Sequence, residues 1–571
     1  MAASETRAWL NHYAEWTPHE VEYEGKTLLD AYDHTIATYG DRPATYFFGR
    51  TQTYNEVDRQ VRAAAAGLRA FGIRPGDRVA ILLPNCPQHV IAFWAVLKLG
   101  AVVTEHNPLY TAHELEGPFK NHGARIAICW DKATPLAEEL RHTTDLETII
   151  SVNMTEAMPG LMRFALKLPV PQLRKTREKL TGAAPNTIPW EALTGAAFGG
   201  EGEDVTTPQS LTPDSPALIL YTSGTTGKPK GAELSHENLY AQVMQGVAWV
   251  PGLDENSNER VLAALPIFHA YGLTFNVTLA MAVAAEVVLL PTPDLKLIMG
   301  IMKKRPPTFL PGVPTLYDRI IEAAQENDIS LTSIRNAFSG ASSLPSRTIE
   351  RWEQLTSGRL VEGYGLTETS PVIVGNPMDG NRRPGYIGLP FPNTLVRIAN
   401  PDNLAETMPD GQEGELLVKG PQVFHGYLDR PDANEQAFYD GWFRTGDVGL
   451  MEEDGFIRLV ARIKEVIITG GFNVYPGEVE EVLASHPDVA DCSVVGLPRE
   501  DGSETVTAAI TLAEGAKLDT DGIKDYCRKM LTRYKVPRAF YHFEEMPGDQ
   551  LGKVRRREVQ AALLERLQEK R

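Results

Sequence analysis

The sequence predicts an α/β protein: a large N-terminal domain of two α/β subdomains and a small β unit, followed by a smaller α+β C-terminal domain. Three observations lead there. From about residue 28 to 360, segments of helical period alternate with short β-rich runs at 78–83, 217–221, 308–310 and 359–361, the signature of parallel strands joined by covering helices. The alternation restarts after an irregular stretch bearing Pro and Gly, 155–213, which predicts two such units. Between about 385 and 460 the pattern changes to short strands separated by turn residues, as in Gly414-Glu-Leu-Leu-Val-Lys-Gly420 and Asp454-Gly-Phe-Ile-Arg-Leu-Val460, a smaller β unit. A boundary near 462–471 leaves roughly 100 residues of mixed pattern, enough for a domain with its own core.

Composition narrows the function classes. Of 571 residues, 43% are apolar and 23% charged, ordinary values for a globular chain, and the net charge is −18. An acidic surface repels polyphosphate at long range, so a nucleotide needs a local site, and nucleic acid is not an expected partner. Cys86, Cys129, Cys492 and Cys527 are scattered with no Cys-x-x-Cys pair, which predicts thiols in a reducing compartment and no zinc site. The first residues lack a signal-peptide core, and the longest apolar stretch, 277–290, is interrupted by Glu286 and too short to span a bilayer. The expected location is the cytoplasm, and both peripheral attachment to the inner face of a membrane and a homodimer are compatible with the sequence.

The most informative segment is Tyr221-Thr-Ser-Gly-Thr-Thr-Gly-Lys-Pro-Lys-Gly231, which follows an apolar strand and precedes a helical pattern opening at Ser235. Its glycines let backbone N–H groups converge on an anion, its hydroxyls add donors, and Lys228 and Lys230 add charge suited to polyphosphate. The spacing is not the Walker pattern: Gly224 and Gly227 stand too close, and Pro229 occupies the place of a magnesium-ligating Ser or Thr. An ordinary Gly/Thr turn has the same composition, and this segment alone does not separate the two.

Later motifs, in order, do separate them. The loop is similar to the phosphate-loop signature of the adenylate-forming family of acyl-CoA synthetases, luciferases and peptide-synthetase adenylation domains. Phe268-His-Ala-Tyr-Gly-Leu273 resembles that family's aromatic segment beside the carboxylate site, and Ser339-Gly-Ala-Ser-Ser-Leu-Pro345 resembles its adenine-side loop. Glu362-Gly-Tyr-Gly-Leu-Thr-Glu-Thr369 is similar to its most diagnostic string. Gly441-Trp-Phe-Arg-Thr-Gly-Asp447 resembles the ribose segment, 462–480 the hinge region and 547–553 the terminal lysine loop. The resemblance covers roughly positions 25–560 and is closest to bacterial long-chain fatty acyl-CoA synthetases.

What the resemblance implies is an ATP-dependent long-chain fatty acid:CoA ligase working through an acyl-adenylate. An aryl- or medium-chain acid:CoA ligase, and an acyl-AMP ligase that loads a carrier protein, stay open beside it. The chemistry suits the residue types. A carboxylate is a poor acyl donor until AMP supplies a stabilised leaving group, and bringing it to an α-phosphate requires charge neutralisation on both sides. The implied ATP/AMP contacts are Thr222, Ser223, Gly224, Thr225, Thr226, Gly227 and Lys228, then Gly340, Ala341 and Ser342, then Glu362, Gly363, Tyr364, Gly365 and Thr367, and finally Asp447 and Arg462. Glu368, with Thr222, is the implied site of Mg2+, the expected cofactor. Lys553, Glu368, Thr367 and His269 are the implied catalytic groups, with the Lys553 ammonium set against transition-state charge. Lys464 is the implied hinge between domains 1–463 and 464–571, the second mobile, and Gly470 and Gly471 the implied lining of a CoA tunnel. Competing structural readings stand beside several of these: Tyr364 as a core aromatic, Asp447 as a turn or N-cap acid, Arg462 as an ion-pair partner, His269 as a satisfied core residue.

A last segment stands apart. Residues 158–180 carry Arg163, Lys167, Arg174, Lys175, Arg177 and Lys179 against one acid, Glu178, interleaved with Leu161, Met162, Phe164, Leu166 and Leu168. An anionic membrane surface and a solvated basic connector are both compatible with it, and Pro169 and Pro171 interrupt any long helix.

Overall fold

The structure is a computed structural model and describes residues 2–195, 205–222, 229–462, 465, 467–469, 472–499, 504–531, 533–548 and 554–568. They fall into two compact units: one of Trp9–Leu395 and Val418–Phe443, the other of Met1–Ala8, Val396–Leu417 and Arg444–Arg571.

The larger unit is built on two sheets. One runs in the order Gly426–Tyr427, Lys230–Ser235, Pro216–Thr222, Val102–Glu105, Arg78–Leu82, Ile126–Trp130, Thr148–Val152, Ile188–Pro189. The other runs Leu389–Pro390, Val372–Gly375, Arg359–Gly365, Asn336–Ser339, Phe309–Gly312, Arg260–Ala263, Glu286–Leu289, Pro43–Phe47, Arg50–Thr53. Their interiors are parallel, as helix-covered α/β sheets require, with antiparallel strands at both ends of the second sheet and at the Gly426–Tyr427 end of the first. Helix Pro87–Lys98 is buried along its whole length because it packs on Arg78–Leu82 and Val102–Glu105 of the first sheet and Pro43–Phe47 of the second. That explains why its sequence is apolar all round, with no polar stripe.

The two sheets interleave along the chain, which the alternation of pattern does not reveal. Strands Pro216–Thr222 and Lys230–Ser235 lie beyond the irregular stretch but join the first sheet beside Val102–Glu105, while Pro43–Phe47 pairs in parallel with Glu286–Leu289 of the second. Periodicity reports that a strand is buried on both faces; it carries nothing about which neighbour it finds.

In the smaller unit, Asn403–Thr407, Leu395–Asn400, Gly414–Lys419 and Trp442–Met451 follow one another across a sheet, and Ile457–Arg462 pairs antiparallel with Trp442–Met451. This is the small β unit expected from the turn-punctuated pattern. Beyond it, Val489–Pro498, Glu504–Leu512 and Ala539–His542 make a three-stranded sheet flanked by helices Pro476–Ala484, Thr520–Met530 and Arg556–Gln568. Val479, Leu483, Val494, Ile510 and Ile523 meet in one core of this α+β part.

Candidate active site

In the larger unit the motif residues gather where strands end. Gly312, Ser339 and Glu362 are register partners on three adjacent parallel strands, so the loop 340–345 leaves the sheet beside the string Glu362–Gly365, which continues its strand paired with Val372–Gly375. Carboxyl ends of parallel strands are where open α/β sheets bind ligands. Ala341, exposed at the turn, holds φ +69°, left-handed backbone that costs a non-glycine residue of order 1–3 kcal/mol and persists only where its surroundings impose it. One such restraint is Glu362, whose carboxylate accepts from the Leu344 N–H at 3.2 Å. Desolvation pushes the Glu362 carboxyl up to about 8, with the Leu344 N–H opposing the shift. The Gly340 N–H donates to the Gly312 carbonyl at 3.2 Å, and a Cβ at Gly340 would lie 3.1 Å from the ring of buried Tyr271.

Tyr364 is half-buried at the end of Arg359–Gly365, opposite Val374, and is no core aromatic. The glycines flanking it are demanded by the protein itself: a Cβ at Gly363 would meet the Phe338 ring at 2.2 Å, and one at Gly365 the Pro371 carbonyl oxygen at 1.7 Å.

Thr367 and Glu368 sit in a single 3-10 turn, Thr367–Thr369. The Thr369 hydroxyl donates to the Pro371 carbonyl at 2.6 Å, the Leu366 N–H donates to that hydroxyl at 3.0 Å, and Ser370 closes the turn at φ +68°. Glu368 is 7% exposed. Its carboxylate accepts from the Tyr427 hydroxyl at 2.7 Å, and its carbonyl from the Phe424 N–H at 2.9 Å. Burial and the Glu368 charge both push the Tyr427 phenol up, so it stays a donor through the working pH range.

Tyr427 connects this turn to the phosphate-type loop. It is the register partner of Ala232 on Lys230–Ser235, the strand that also packs on the turn Thr367–Thr369, and the Lys230 ammonium lies 4.5 Å from the centre of its ring. Thr222 and Lys230 face each other across the base of the loop, so Glu368, Thr222 and both loop stems share one corner of the unit. Ser223, Gly224, Thr225, Thr226, Gly227 and Lys228 lie outside the described residues. The expected helix opens at Ser235, which caps His236–Trp249 by accepting from the Asn238 N–H at 3.1 Å; what the pattern does not show is that Lys230–Ser235 returns from the loop as a strand. Gly231 is a strand residue packed on the Tyr221 ring, with space for no Cβ closer than 3.1 Å to that ring's Cζ, rather than an anion-facing glycine. Tyr221 is itself fixed, its hydroxyl donating to Asn121 Oδ1 at 2.8 Å and its ring stacked on that of buried His106. Desolvation lowers the His106 imidazole to about 3, keeping this support neutral.

His269 is exposed and caps helix Ala270–Leu273, its Nδ1 accepting from the Tyr271 N–H at 3.4 Å; the core-residue reading of His269 is therefore overturned.

In the smaller unit, Asp447 is 3% exposed and stands inside strand Trp442–Met451, so it caps no helix. Gly446 before it turns the backbone at φ +73°, and the Asp447 N–H donates to the Thr445 hydroxyl at 3.1 Å. Its register partner is Arg462, and Arg444 holds the strand by a bidentate pair with buried Glu415 at 2.7 and 3.0 Å. Lys464, Gly470, Gly471 and Lys553 lie outside the described residues. The stems of the Lys553 loop are described: Gly548 bridges Val554, the Arg555 N–H donates to the Pro547 carbonyl at 2.9 Å, and Arg556 pairs with Glu480 and Glu465.

Against this geometry stand the comparisons with known proteins. The family profile described as AMP-binding enzyme matches residues 32–428, and that described as AMP-binding enzyme C-terminal domain matches 478–553. The chain belongs to the AMP-binding enzyme family. Among curated AMP-binding enzymes, the long-chain-fatty-acid–CoA ligase of Bacillus subtilis is 35% identical over 554 residues, 97% of each chain. The long-chain-fatty-acid–CoA ligase of Salmonella typhimurium is 34% identical over 556 residues, 97% of this chain and 98% of its own. Among solved structures, ATP-bound MatB from Rhodopseudomonas palustris superposes with a TM-score of 0.80 at 27% identity, covering 94% of this chain and 99% of MatB.

For an AMP-binding enzyme two residues here were missed by motif reading. Tyr427 belongs to none of the quoted strings, and its role emerges only from strand pairing with Ala232. Arg556 lies just beyond the lysine loop string, and, desolvated and paired with Glu480 and Glu465, it ties down the end of that loop.

Among the described residues no cluster of three or more His, Cys, Asp or Glu could hold a metal ion. The corner at Glu368 nonetheless fits one hard cation. It offers a buried carboxylate and a hydroxyl at Thr222 beside the stems of a phosphate-type loop, the one-carboxylate arrangement that magnesium uses when phosphate supplies the rest.

Proposed function

We propose that this AMP-binding enzyme is a long-chain fatty acid:CoA ligase that works at the inner face of a membrane, converting fatty acid, ATP and CoA to acyl-CoA, AMP and diphosphate. The observation that carries the reading is the Glu368–Tyr427–Lys230 linkage, which sets a buried carboxylate against the stems of a phosphate-type loop. The full-length similarity to long-chain-fatty-acid–CoA ligases supports the choice of acid.

In the first step an oxygen of the fatty carboxylate attacks the α-phosphorus and the bond to diphosphate breaks. Residues 222–228 bind the phosphates, with Thr367 adding a hydroxyl donor. Gly340, Ala341 and Ser342 with Glu362, Gly363, Tyr364 and Gly365 hold adenine, Glu362 acting through the loop it pins at Leu344. Asp447 accepts from the ribose hydroxyls with Arg462 alongside, and His269 lies toward the acyl carboxylate. Glu368 and Thr222 would hold magnesium, which when bound would supply Lewis-acid neutralisation of phosphate charge. The Lys553 ammonium stabilises charge building between the two anions. In the second step the CoA sulfur attacks the acyl carbon and AMP leaves with the bonding pair. The domain 464–571 turns about Lys464 between steps, and Gly470 and Gly471 leave room for the pantetheine arm.

A chain-length series of acids, assayed for diphosphate, AMP and acyl-CoA, tests the reading. Long-chain acids should give all three products; diphosphate without thioester would indicate a carrier-protein loader, and preference for aryl or shorter acids would replace the substrate. Lys553→Ala should slow adenylate formation by about a hundredfold or more while leaving thiolysis of supplied acyl-adenylate largely intact. Equal loss in both half-reactions contradicts that role.

A further inference from the structure

The segment 158–180 folds as two short helices, Gly160–Leu166 and Pro171–Leu180, which pack on each other. Pro171 takes the first position of the second helix, where its missing N–H costs nothing, so the prolines divide the segment into a hairpin. The hairpin is held at Arg163, at Leu166 and at its C-terminal end. Arg163 pairs with Glu156 at 2.5 Å, the Trp130 indole N–H donates to the Leu180 carbonyl at 2.8 Å, and Lys132 donates to the Glu178 carbonyl at 2.7 Å. Leu166 faces inward, whereas Leu161 is 83% and Phe164 64% exposed, and Met162, Leu168 and Val170 are exposed with them. No residue of the second helix is buried, although it carries Arg174, Lys175, Arg177 and Lys179.

Large apolar side chains concentrated on one projection signal an interaction site. Its charge identifies the partner. The segment holds six basic residues and one acid in a chain of net charge −18, so an anionic surface attracts it against the net repulsion of the chain. Exposed leucine, methionine and phenylalanine on the first helix, with Leu168 and Val170 in the connector and lysine and arginine beside them, match an acyl-chain and headgroup boundary, which takes apolar side chains to a depth of about 5–10 Å. No helix among the described residues is long and apolar enough to cross a membrane, so attachment here is peripheral.

We infer that the hairpin 160–180 is a docking surface for an anionic lipid bilayer. Its benefit rests on the fatty acyl reading above: the substrate partitions into bilayers, and docking delivers it to the enzyme. The surface sits away from the nucleotide corner. It is inserted between Thr148–Val152 and Ile188–Pro189, at the opposite edge of the eight-stranded sheet from the phosphate-type loop, five strand spacings or about 24 Å from Pro216–Thr222. A docked hairpin therefore leaves that loop open to ATP.

The full-length protein is sedimented with vesicles of phosphatidylcholine alone and of phosphatidylcholine with phosphatidylglycerol. Two surface variants are compared with it, the apolar-tip variant Leu161→Gln/Phe164→Gln, so called for its exposed side chains on the first helix, and Lys175→Glu/Lys179→Glu on the second helix. Binding should need the anionic lipid, weaken at about 1 M salt, where the screening length falls to about 3 Å, and drop about tenfold or more in each variant. Activity on a fatty acid supplied within vesicles should fall with it, while diphosphate release with a short, water-soluble acid should stay at the wild-type rate. Absence of wild-type binding, or wild-type-level binding by both variants, overturns the inference. A tip variant that changes only the oligomeric state on size exclusion also overturns it, in favour of a second copy as the partner. Wild-type binding without diphosphate release from any acid leaves the surface standing and refutes the ligase reading instead.

Discussion

Two regions of the larger unit, the turn Thr367–Thr369 and the hairpin 160–180, present polar chemistry by opposite means. Around Glu368 the backbone is fixed on every side: Thr369 ties both flanks of the turn, Phe424 donates to its carbonyl and Tyr427 to its carboxylate. The hairpin is held at Arg163, at Leu166 and at its C-terminal end, and most of its side chains are exposed. The difference is between chemistry that needs one geometry and chemistry that needs only a sign of charge and some apolar area. A reacting phosphate gains from groups held in place before it arrives, whereas a bilayer is fluid and adapts to whatever meets it.

Substitutions should therefore separate the two regions sharply. The largest effect is expected at Glu368→Gln, which keeps shape but removes the charge: kcat/KM for adenylate formation should fall by about a hundredfold or more, with little change in the melting temperature. A fall below about tenfold would place Glu368 outside the reacting charge cluster. Next, Tyr427→Phe removes one hydrogen bond to a buried carboxylate, worth about 1.5–3 kcal/mol, so adenylation should drop about ten- to hundredfold. Unchanged kinetics would mean that the carboxylate is oriented without it. A subtler effect belongs to Glu362, whose carboxyl burial pushes up to about 8 in the folded chain from an ordinary value of 4.5. Between those values the folded chain holds a proton that the unfolded chain has released, so this group's contribution to stability declines as pH rises toward 8. Glu362→Gln has no such titration, and its melting temperature relative to wild type should climb by roughly 1–3 °C between about pH 5 and pH 9; a pH-independent difference contradicts the assignment. The smallest effect is expected in the hairpin: Leu161→Gln/Phe164→Gln should change stability by no more than about 0.5 kcal/mol in chemical denaturation, since both side chains are already exposed.

The contrast also marks what a sequence can display. Gly363, Tyr364, Thr367 and Glu368 fall on one short string, and their placement beside the loop 340–345 follows from adjacent parallel strands. The hairpin, too, is visible as composition. Tyr427 is not, because its meeting with Glu368 depends on pairing with Ala232, a partner remote in the chain. Gly363 and Gly365 read as space for adenine, yet their first constraint is contact with Phe338 and Pro371, which only folded coordinates supply. His269 reads as apolar because its neighbours are, while the backbone turns it outward to cap a helix. Sheet membership was hidden for the same reason that Tyr427 was: local pattern specifies an element, and partners are chosen by the whole chain.

That interleaving has a consequence for how the protein is made. Strand Pro43–Phe47 leaves the ribosome roughly 240 residues before its parallel partner Glu286–Leu289, an interval of about 10–50 s at ordinary translation rates. Until then one side of the Pro43–Phe47/Arg50–Thr53 ribbon has no mate, and such an edge invites pairing with other nascent chains. Assembly of the second sheet is therefore governed by elongation speed and by whatever shields that ribbon in the meantime.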